Sequence, residues 1–379
     1  MLHIPFNDRP ADTIRGKIYR QLYFSRNQYT KQSLAKDCGI SMPTLYQNLS
    51  SLMEDGLVDY AGEDLSTGGR RARMLRIVPE ARLAIGISVT EHHLRIVAID
   101  LAMNEHAFKK IPFDFFDAEF NSRDEDVKTQ LEIFLDEKNI DRERILGVGI
   151  AIPGLINDDC SYIVTAPTLG VNNQPISNLI ESIPYPVYVA NDASCSGFAE
   201  WFARRDNSDM AYLSLENGVG GCIMINALHF DGDNRRSAEF GHICIQPGGR
   251  QCSCGKRGCL EAYCTARRID EEFGITNEEF FQRVNDHDPD CETLWYDMIR
   301  HLAVGINNIR MVLNCKIVLG GFLTEYLSPD LPTLKKYIQA GNPFDTETDF
   351  VQLSIVRRNI APIGAALYFV KEFVETTGD

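Results

Sequence analysis

The chain lacks any apolar run of the roughly 20 residues that a membrane-spanning helix needs. Its start, residues 1–8, also lacks the basic segment and apolar stretch of a secretory signal peptide. Both absences predict a cytoplasmic protein without a membrane partner. An even cysteine count is missing as well. The 11 cysteines are spread over 379 residues, which favours reduced thiols and a metal site over a disulfide framework.

An excess of basic residues is also missing, since 38 Lys and Arg face 53 Asp and Glu and the net charge is −15. The chain as a whole would therefore repel a polyanion. Residues 1–80 differ, because they hold 11 basic and 9 acidic side chains, a balance of +2 that leaves −17 for the remainder. A basic N-terminal part on an acidic body is typical of a regulator with a small DNA-binding domain. A chain of this length is expected to form two or three domains.

The clearest chemical motif is His242 followed by Cys252, Cys254 and Cys259. One imidazole and three thiolates match the tetrahedral ligand set of Zn²⁺. Four protein ligands leave no coordination position for water or substrate, so we predict a structural zinc knuckle. Turns between the ligands are favoured by Gly248, Gly249, Gly255 and Gly258. The alternative is a group of reduced cysteines beside an unrelated histidine.

Three carboxylates are candidate ligand-binding groups. Glu239 and Glu261 flank the knuckle, which would hold them near each other. Asn191 and Asp192 follow a predicted strand (187–190), at the edge of the sheet where open α/β proteins bind their ligands. Asp192 could take a proton from a hydroxyl group, but it could equally be the N-cap of the following helix. Either glutamate could be a solvated surface charge.

Residues 12–60 predict three short helices in a helix-turn-helix arrangement. Thr30 is expected to cap the second helix and Gly39 to end it, and Pro43 suits the first turn of the third. The third helix would present polar side chains to the major groove of DNA, with Gln47 and Asn48 as the principal base readers. The full predicted set is Ser41, Thr44, Tyr46, Gln47, Asn48 and Ser51.

Residues 66–77 follow as a predicted two-stranded wing with a glycine-containing tip. This wing carries Arg70, Arg71 and Arg73, whose guanidinium groups suit DNA phosphates or a narrow minor groove. A winged helix used for protein contacts is the alternative.

Beyond residue 79, apolar strands alternate with helical segments, which predicts an α/β body. Residues 83–89 and 94–99 are predicted to pair as a hairpin. Further strands are expected at 145–152, 187–190, 212–215, 222–226 and 317–319.

Short motifs follow one another along this body. They are AIPG at 151–154, Asn-Asp at 191–192, GVGG at 218–221, Glu239-x2-His242, the cysteine motif through Glu261, LGG at 319–321 and IGAA at 363–366. Together they resemble the ROK family (repressors, open reading frames, kinases), and the added winged helix resembles its repressor branch. The resemblance implies a two-lobed, actin-like and sugar-kinase-like (ribonuclease H-like) α/β body with a ligand between the lobes.

The resemblance also implies a domain organisation and a set of site residues. The domains would be a winged helix-turn-helix at 1–80, a first lobe at 81–190 completed by a C-terminal helix at 360–379, and a second lobe with the zinc knuckle at 191–359. The residues that would contact sugar hydroxyls are Asn191, Asp192, Glu239, His242 and Glu261. In a kinase of the family, Asp192 would be the general base.

The nucleotide side departs from the kinases of this family. Their first hairpin carries Asp-x-Gly-Gly-Thr, whereas this chain has Ser88 to His92, with Thr90 and Glu91 in place of the two glycines. Their second phosphate loop reads Gly-Thr-Gly, and here it is residues 216–218, Glu-Asn-Gly. The added side chains and negative charge would obstruct phosphate binding. We therefore expect no catalytic residue and no kinase activity.

The sequence thus predicts a sugar-responsive, DNA-binding transcriptional regulator, a repressor of genes for carbohydrate uptake or catabolism. Its partners would be double-stranded operator DNA and a small sugar or sugar derivative, and its cofactor a structural Zn²⁺ ion. A homodimer or homotetramer is expected. The alternatives are an active ATP-dependent sugar kinase that carries a DNA-binding domain, and a regulator that responds to a protein partner.

Overall fold

The chain folds into two compact units. The computed structural model describes residues 13–25, 28–63, 73–113, 127–180, 182–344 and 347–377. Unit 1 comprises residues 1–154, 159–190 and 365–379, and unit 2 comprises residues 155–158 and 191–364. Among the described helices, none combines the length and the apolar character that crossing a bilayer requires.

Unit 1 begins with three helices and a small sheet, which we call the N-terminal region (residues 13–77). Its elements are α1 (Ile14–Phe24), β1 (Tyr29–Thr30), α2 (Lys31–Cys38), α3 (Met42–Glu54), β2 (Val58–Glu63) and β3 (Arg73–Ile77). The strands pair antiparallel in the order β1-β3-β2. Local residues set the helix ends, because the side chains of Thr30 and Ser41 cap α2 and α3 and Gly39 ends α2 with a φ of 67°. This arrangement fits a DNA-binding domain.

The rest of unit 1 is built on a five-stranded sheet. The elements that follow in chain order are β4 (Leu83–Val89), β5 (His93–Asp100), β6 (Glu105–Pro112), α4 (Val127–Glu137), β7 (Ile145–Ile152), β8 (Leu155–Ile156), β9 (Tyr162–Ala166), β10 (Val171–Pro175), α5 (Ser177–Ile180) and β11 (Val187–Asn191). Of these, β8 and the last residue of β11 belong to unit 2. The sheet order is β11-β7-β4-β5-β6. β4 pairs antiparallel with β5 and parallel with β7. Every residue of β4 is buried, which explains its continuous apolar sequence.

Unit 2 carries the second sheet and most of the helices. Its elements are α6 (Asp192–Arg204), β12 (Met210–Leu215), β13 (Val219–Ile225), β14 (Leu228–His229), α7 (Glu261–Cys264), α8 (Arg267–Phe273), α9 (Asn277–Asn285), α10 (Pro289–Leu313), β15 (Lys316–Gly320), α11 (Leu323–Leu327), α12 (Leu331–Gly341) and β16 (Val351–Leu353). The sheet order is β14-β13-β12-β15-β16. α6 lies close against β13, because a Cβ at Gly197 would collide with the side chain of Cys222.

The last helix, α13 (Ile360–Thr376), packs on the sheet of unit 1 through residues 365–376. A Cβ at Gly149 of β7 would collide with the backbone of Ala365, so this strand position requires glycine. At the other end of α13, Arg20 Nη1 of α1 donates a hydrogen bond to Glu375 O at 2.7 Å. The C-terminal helix therefore contacts both the sheet and the N-terminal region.

The mixed α/β body agrees with the sequence prediction, and so does the hairpin of β4 and β5. The strand predicted at 222–226 begins three residues earlier and ends one residue earlier, since β13 spans Val219–Ile225. Gly220 and Gly221 resemble a loop in the sequence, yet they pair with Ser214 and Leu213 of β12. The predicted domain boundaries stay predictions. The division between units falls after residue 190, and unit 1 holds both the N-terminal region and the first sheet.

Candidate metal centre and effector site

Four side chains of unit 2 meet in one cluster. The ligand atoms of His242, Cys252, Cys254 and Cys259 all lie within 4.8 Å of one another. Cys252 Sγ is 3.8 Å from His242 Nδ1, and Cys254 Sγ is 3.8 Å from Cys259 Sγ. A tetrahedral ion with Zn–S bonds of about 2.3 Å places two sulfur atoms about 3.8 Å apart. The donor types and their spacing therefore fit a tetrahedral divalent metal ion.

Close backbone packing folds the knuckle, residues 242–259. An antiparallel bridge pairs Cys244 with Cys259. Gly258 has a φ of 85°, a left-handed conformation that side chains disfavour. A Cβ at this position would also collide with the carbonyl of Gln246. Glycine at 258 thus permits the close approach of the two segments that carry the clustered side chains.

Tyr263 anchors the knuckle to α10. Its hydroxyl accepts a hydrogen bond from Arg250 N at 2.8 Å, and its ring stacks on His301 with the centroids 4.1 Å apart. His301 Nε2 in turn lies 3.2 Å from Gln246 Oε1. The knuckle is therefore attached to a helix of 25 residues by contacts that do not involve the metal ligands. The sequence offers no signal for Tyr263, because its partner lies on a distant helix.

Glu261 links the knuckle to the first residue of β13. Its Oε1 accepts a hydrogen bond from Ser253 Oγ at 2.6 Å, and its Oε2 accepts one from Val219 N at 3.2 Å. Ser253 lies between two of the clustered cysteines. One carboxylate thus connects the position of the clustered cysteines to the start of β13. Ser253 and Val219 add to the predicted site residues, and only the place of Ser253 inside the cysteine motif could have indicated it.

β11 leads into α6 at Asn191 and Asp192. The Asn191 side chain accepts a hydrogen bond from Ser194 N at 3.0 Å and is the N-cap of the helix. The alternative in which Asp192 caps α6 is therefore wrong. Asp192 is the first helical residue, and its Oδ1 accepts a hydrogen bond from Ala193 N at 2.8 Å. Its carboxyl group lies at the helix N-terminus, where the backbone dipole favours a negative charge.

Acidic neighbours surround Asp192 within unit 2. The pKa of Asp192 is raised to about 7. Burial is the main cause, and the negative charges of Glu216 and Glu239 add to it, whereas the hydrogen bond from Ala193 N lowers the pKa. The pKa of Glu239 is also raised, because protein atoms shield its carboxylate even though the residue as a whole is exposed. Glu261 adds to this effect, whereas His242 opposes it. With a pKa of about 7, the carboxyl group of Asp192 is partly protonated near neutrality and can both accept and donate hydrogen bonds to the hydroxyls of a sugar.

The direction of Glu239 is set by a strained residue. Ala238 is buried and has a φ of 58°, a conformation that costs a non-glycine residue about 1 kcal/mol. Its carbonyl accepts a hydrogen bond from Phe240 N at 2.7 Å. A Cβ at Gly221 of β13 would lie 2.5 Å from the same carbonyl oxygen. The chain therefore turns sharply against β13 immediately before Glu239.

The turn between β4 and β5 is closed by its own residues. Thr90 N donates to His93 O at 2.9 Å, and His93 N donates to Thr90 Oγ1 at 3.1 Å. The Thr90 hydroxyl also donates to His93 O at 3.0 Å. Glu91 lies exposed in this turn. Two backbone N–H groups are thus used internally and a carboxylate stands beside them, which disfavours a bound phosphate.

Glu216 lies in the loop that precedes β13. Its N–H donates to Gly218 O at 3.0 Å. A Cβ at Gly321 would lie 2.8 Å from Glu216 Cγ, so the glutamate side chain packs directly over that glycine. The negative charge of Glu216 also reaches Asp192 and raises its pKa. This loop therefore presents a carboxylate among residues 216–218, the segment that the resemblance to the kinases predicts to lie at the phosphate position.

Helix α3 presents the predicted DNA-reading residues at two levels of exposure. The exposed ones are Ser41, Tyr46 and Gln47, and the half-buried ones are Thr44, Asn48 and Ser51. Asn48 Nδ2 donates a hydrogen bond to Thr44 O at 2.8 Å inside the helix. This amide would have to exchange that bond for a contact with a base. Gln47 is thus the better placed of the two principal readers.

Basic side chains stand beside the small sheet of the N-terminal region. Lys31 Nζ lies 5.3 Å from the ring centroid of Tyr60, and the guanidinium of Arg73 lies 5.4 Å from the same centroid. Tyr60 thus holds two cations near β2 and β3. Lys31 is thus a further basic side chain of this region, close to the predicted Arg73. Arg70 and Arg71 lie outside the described residues.

The pattern of the family described as ROK matches residues 84–368, which is more than half of the chain. This chain belongs to the ROK family. A solved ROK family transcriptional regulator, described as a homologue of the Escherichia coli MLC protein, superposes on this chain with a TM-score of 0.75. The match covers 95% of this chain and 96% of that chain at 19% identity. The predicted two-lobed, sugar-kinase-like fold is thereby confirmed.

Named relatives include regulators and kinases. The DNA-binding transcriptional dual regulator NagC of Escherichia coli K12 is 26% identical over 358 residues, which cover 88% of this chain and 86% of NagC. The xylose repressor of Bacillus spizizenii is 23% identical over 386 residues and 96% of each chain. A ROK glucokinase from Streptomyces griseus, solved with glucose and AMPPNP, has a TM-score of 0.62 at 19% identity and covers 75% of this chain and 98% of its own. The similarity to these regulators thus extends over more of the chain.

Proposed function

We propose that this ROK protein is a sugar-responsive, DNA-binding transcriptional regulator that represses genes for carbohydrate uptake or catabolism. The observation that carries the proposal is the N-terminal region, in which three helices and an antiparallel hairpin precede a ROK body in one chain. The matches to the xylose repressor and to NagC each cover most of this chain.

The N-terminal region would act as a winged helix on double-stranded operator DNA. α3 would enter the major groove, with Gln47 reading a base edge and the other predicted residues of the helix contacting bases or phosphates. Lys31 and Arg73 would contact phosphates, together with Arg70 and Arg71. In a homodimer or homotetramer, two such domains would read half-sites separated by one or more helical turns.

A small sugar would bind to the acidic groups of unit 2. The proposed contacts are Asn191, Asp192, Glu239, His242 and Glu261. The raised pKa values of Asp192 and Glu239 support this assignment, because perturbed pKa values cluster at functional sites. A sugar that binds one conformation of the protein more tightly would shift the population toward it and thereby change DNA affinity.

A structural zinc ion would be held by His242, Cys252, Cys254 and Cys259. The donor distances support this set. When bound, the ion would neutralise the thiolates and rigidify the knuckle. Through Ser253 and Glu261, the same knuckle would fix the start of β13.

We further propose that the chain does not phosphorylate its sugar. The closed Thr90 turn and the carboxylate of Glu216 support this, because phosphoryl transfer depends on groups that neutralise phosphate charge. The rival function is a sugar kinase, favoured by the pKa of about 7 at Asp192, which suits a general base. ATP turnover with hexoses and N-acetylated hexosamines decides between them. Product formation that Asp192→Asn abolishes would establish the kinase.

The proposed function is tested by DNA selection and by sugar titration of the same zinc-loaded protein. A random duplex library should yield an enriched sequence with the wild type and none with Gln47→Ala. Calorimetry with the sugar panel should give heat for at least one sugar, no heat for Asp192→Asn, and wild-type heat for Asp206→Asn, an acidic residue paired with Lys316. Absence of enrichment would contradict the DNA function. Absence of heat and of a thermal shift with every sugar would instead favour a protein signal.

A further inference from the structure

Cys244 lies opposite the clustered Cys259 in the knuckle, and its thiol donates a hydrogen bond to Arg257 O at 3.8 Å. These two residues form an antiparallel bridge. The hydrogen bonds beside the bridge run from Ile245 N to Gly258 O (2.8 Å) and from Leu260 N to Ile243 O (2.9 Å). They flank the pair on both sides, so Cys244 and Cys259 are a non-hydrogen-bonded pair. In such a pair the Cα atoms are about 4.5 Å apart and the side chains share one face.

This geometry is compatible with a disulfide, which needs Cα atoms about 4.4–6.8 Å apart. The lack of a side chain at Gly258 keeps the space beside Cys244 open, since a Cβ there would lie 3.3 Å from Cys244 Sγ. Cys244 is exposed, whereas Cys259 is 3% exposed. Cys244 also lies outside the set of four clustered ligands. Cys254 is exposed as well, but it belongs to that set. When the set holds a metal ion, a dissolved oxidant would therefore react at Cys244, with Cys259 as its neighbour.

We propose that Cys244 and Cys259 are an oxidation site that forms a cross-strand disulfide in the presence of a hydroperoxide. Cys244 Sγ attacks the peroxide, the O–O bond breaks, and the products are a sulfenic acid at Cys244 and water or an alcohol. Cys259 Sγ then attacks Cys244 Sγ, the S–O bond breaks, and the departing hydroxide takes a proton to become water. The two thiols lose two electrons and two protons in total, and the peroxide gains them.

Disulfide formation removes Cys259 from the donor set and leaves three ligands. A site with three of its four donors binds a metal more weakly, so the oxidised knuckle would hold a metal ion less tightly and would release it. Without the ion, the knuckle would no longer hold Ser253 in position to donate its hydrogen bond to Glu261. This consequence rests on the proposed zinc site, whereas formation of the disulfide requires only the two thiols.

Trypsin separates the relevant cysteines, which makes the pairing measurable. Cleavage after arginine and lysine gives a peptide 237–250 with Cys244, a peptide 251–256 with Cys252 and Cys254, and a peptide 258–267 with Cys259 and Cys264. The full zinc-loaded chain is treated with hydrogen peroxide and digested without reduction, and the linked peptides are identified by mass spectrometry. Zinc release is followed in parallel with a colorimetric chelator. The variants are Cys244→Ser, which keeps all four metal donors, and Cys264→Ser.

The expected product links peptide 237–250 to peptide 258–267 in the wild type and in Cys264→Ser. Cys244→Ser should lack this link and release zinc at least about tenfold more slowly, because its exposed thiol no longer starts the reaction. A wild-type link that joins peptides 251–256 and 258–267 instead would overturn the proposal, and so would equal zinc release from Cys244→Ser. Zinc content before oxidation distinguishes the two proposals. A protein purified without zinc would refute the metal site, while the linked peptides would still decide whether the disulfide forms.

Discussion

Replacing Asp192 with asparagine should stabilise unit 2 at neutral pH, although it removes a proposed sugar ligand. The pKa of Asp192 is about 7 in the folded chain, against 3.8 for an ordinary aspartate. The folded state therefore binds the proton more tightly than the unfolded state. The resulting stabilisation is fully present below pH 3.8 and is lost as the pH rises through 7. At 1.36 kcal/mol per pKa unit, the loss amounts to about 4 kcal/mol at pH 8 and about 2 kcal/mol at pH 5.5.

The position of the tryptophans makes this measurable in unit 2 alone. The chain has two, Trp201 and Trp295, and both are buried in that unit. Urea unfolding followed by tryptophan fluorescence therefore reports on the surroundings of Asp192. The free energy of unfolding of Asp192→Asn should exceed that of the wild type by up to about 4 kcal/mol at pH 8, and the gain should shrink by about half at pH 5.5.

Asp206→Asn is the matched control with the opposite sign. Although burial acts against it, hydrogen bonds from Lys316 and Ser208 lower the pKa of Asp206 to about 2. That carboxylate contributes stability that is present above pH 3.8 and lost as the pH falls through 2. The control variant should therefore be less stable than the wild type at neutral pH. A loss of stability in Asp192→Asn at pH 8, or a gain that does not shrink toward pH 5.5, would refute the reasoning.

Three further changes test other parts of the molecule. Cys254→Ser should reduce the bound zinc to below about a tenth of an equivalent, measured by elemental analysis, because three donors remain; full zinc content would exclude the site. Replacing Arg70 and Arg71 with alanine should make the slope of log affinity against log salt shallower by about 2; an unchanged slope would count against phosphate contacts. Ala238→Gly should raise the free energy of unfolding by about 0.5–1 kcal/mol through relief of strain. An unchanged free energy of unfolding in Ala238→Gly would contradict the strain. The control is Ala227→Gly, at a φ of 63° in a β-turn, which should show a similar gain in stability without affecting sugar binding.

The helix ends and most strands follow from the sequence because their causes are local. Thr30 and Ser41 carry hydroxyls that cap the helices after them, and Gly39 supplies the left-handed conformation that ends α2. The strand of Val219 to Ile225 starts earlier than predicted, since its glycines give no local preference for a strand. Only pairing with β12 places them in the sheet.

The cluster of His242 with three cysteines could be predicted because its members are close in the sequence, whereas the contacts that orient the proposed sugar-binding residues could not. Glu261 reaches Val219, 42 residues away, and this bond depends on how the knuckle packs on β13. The choice between Asn191 and Asp192 as helix cap is decided by one hydrogen bond to Ser194, for which both residue types are suited. The left-handed Ala238 leaves no sequence signal at all, because alanine normally avoids that conformation.

The central claim is that a sugar bound in unit 2 changes the affinity of this protein for DNA. The direct measurement is fluorescence anisotropy of the enriched duplex with zinc-loaded protein, with and without the sugar that gives heat in calorimetry. We expect the sugar to change the dissociation constant by about tenfold or more, in line with a coupling free energy of 1–3 kcal/mol, and to have no effect on Asp192→Asn. An identical dissociation constant in the presence and absence of the saturating sugar would contradict the account.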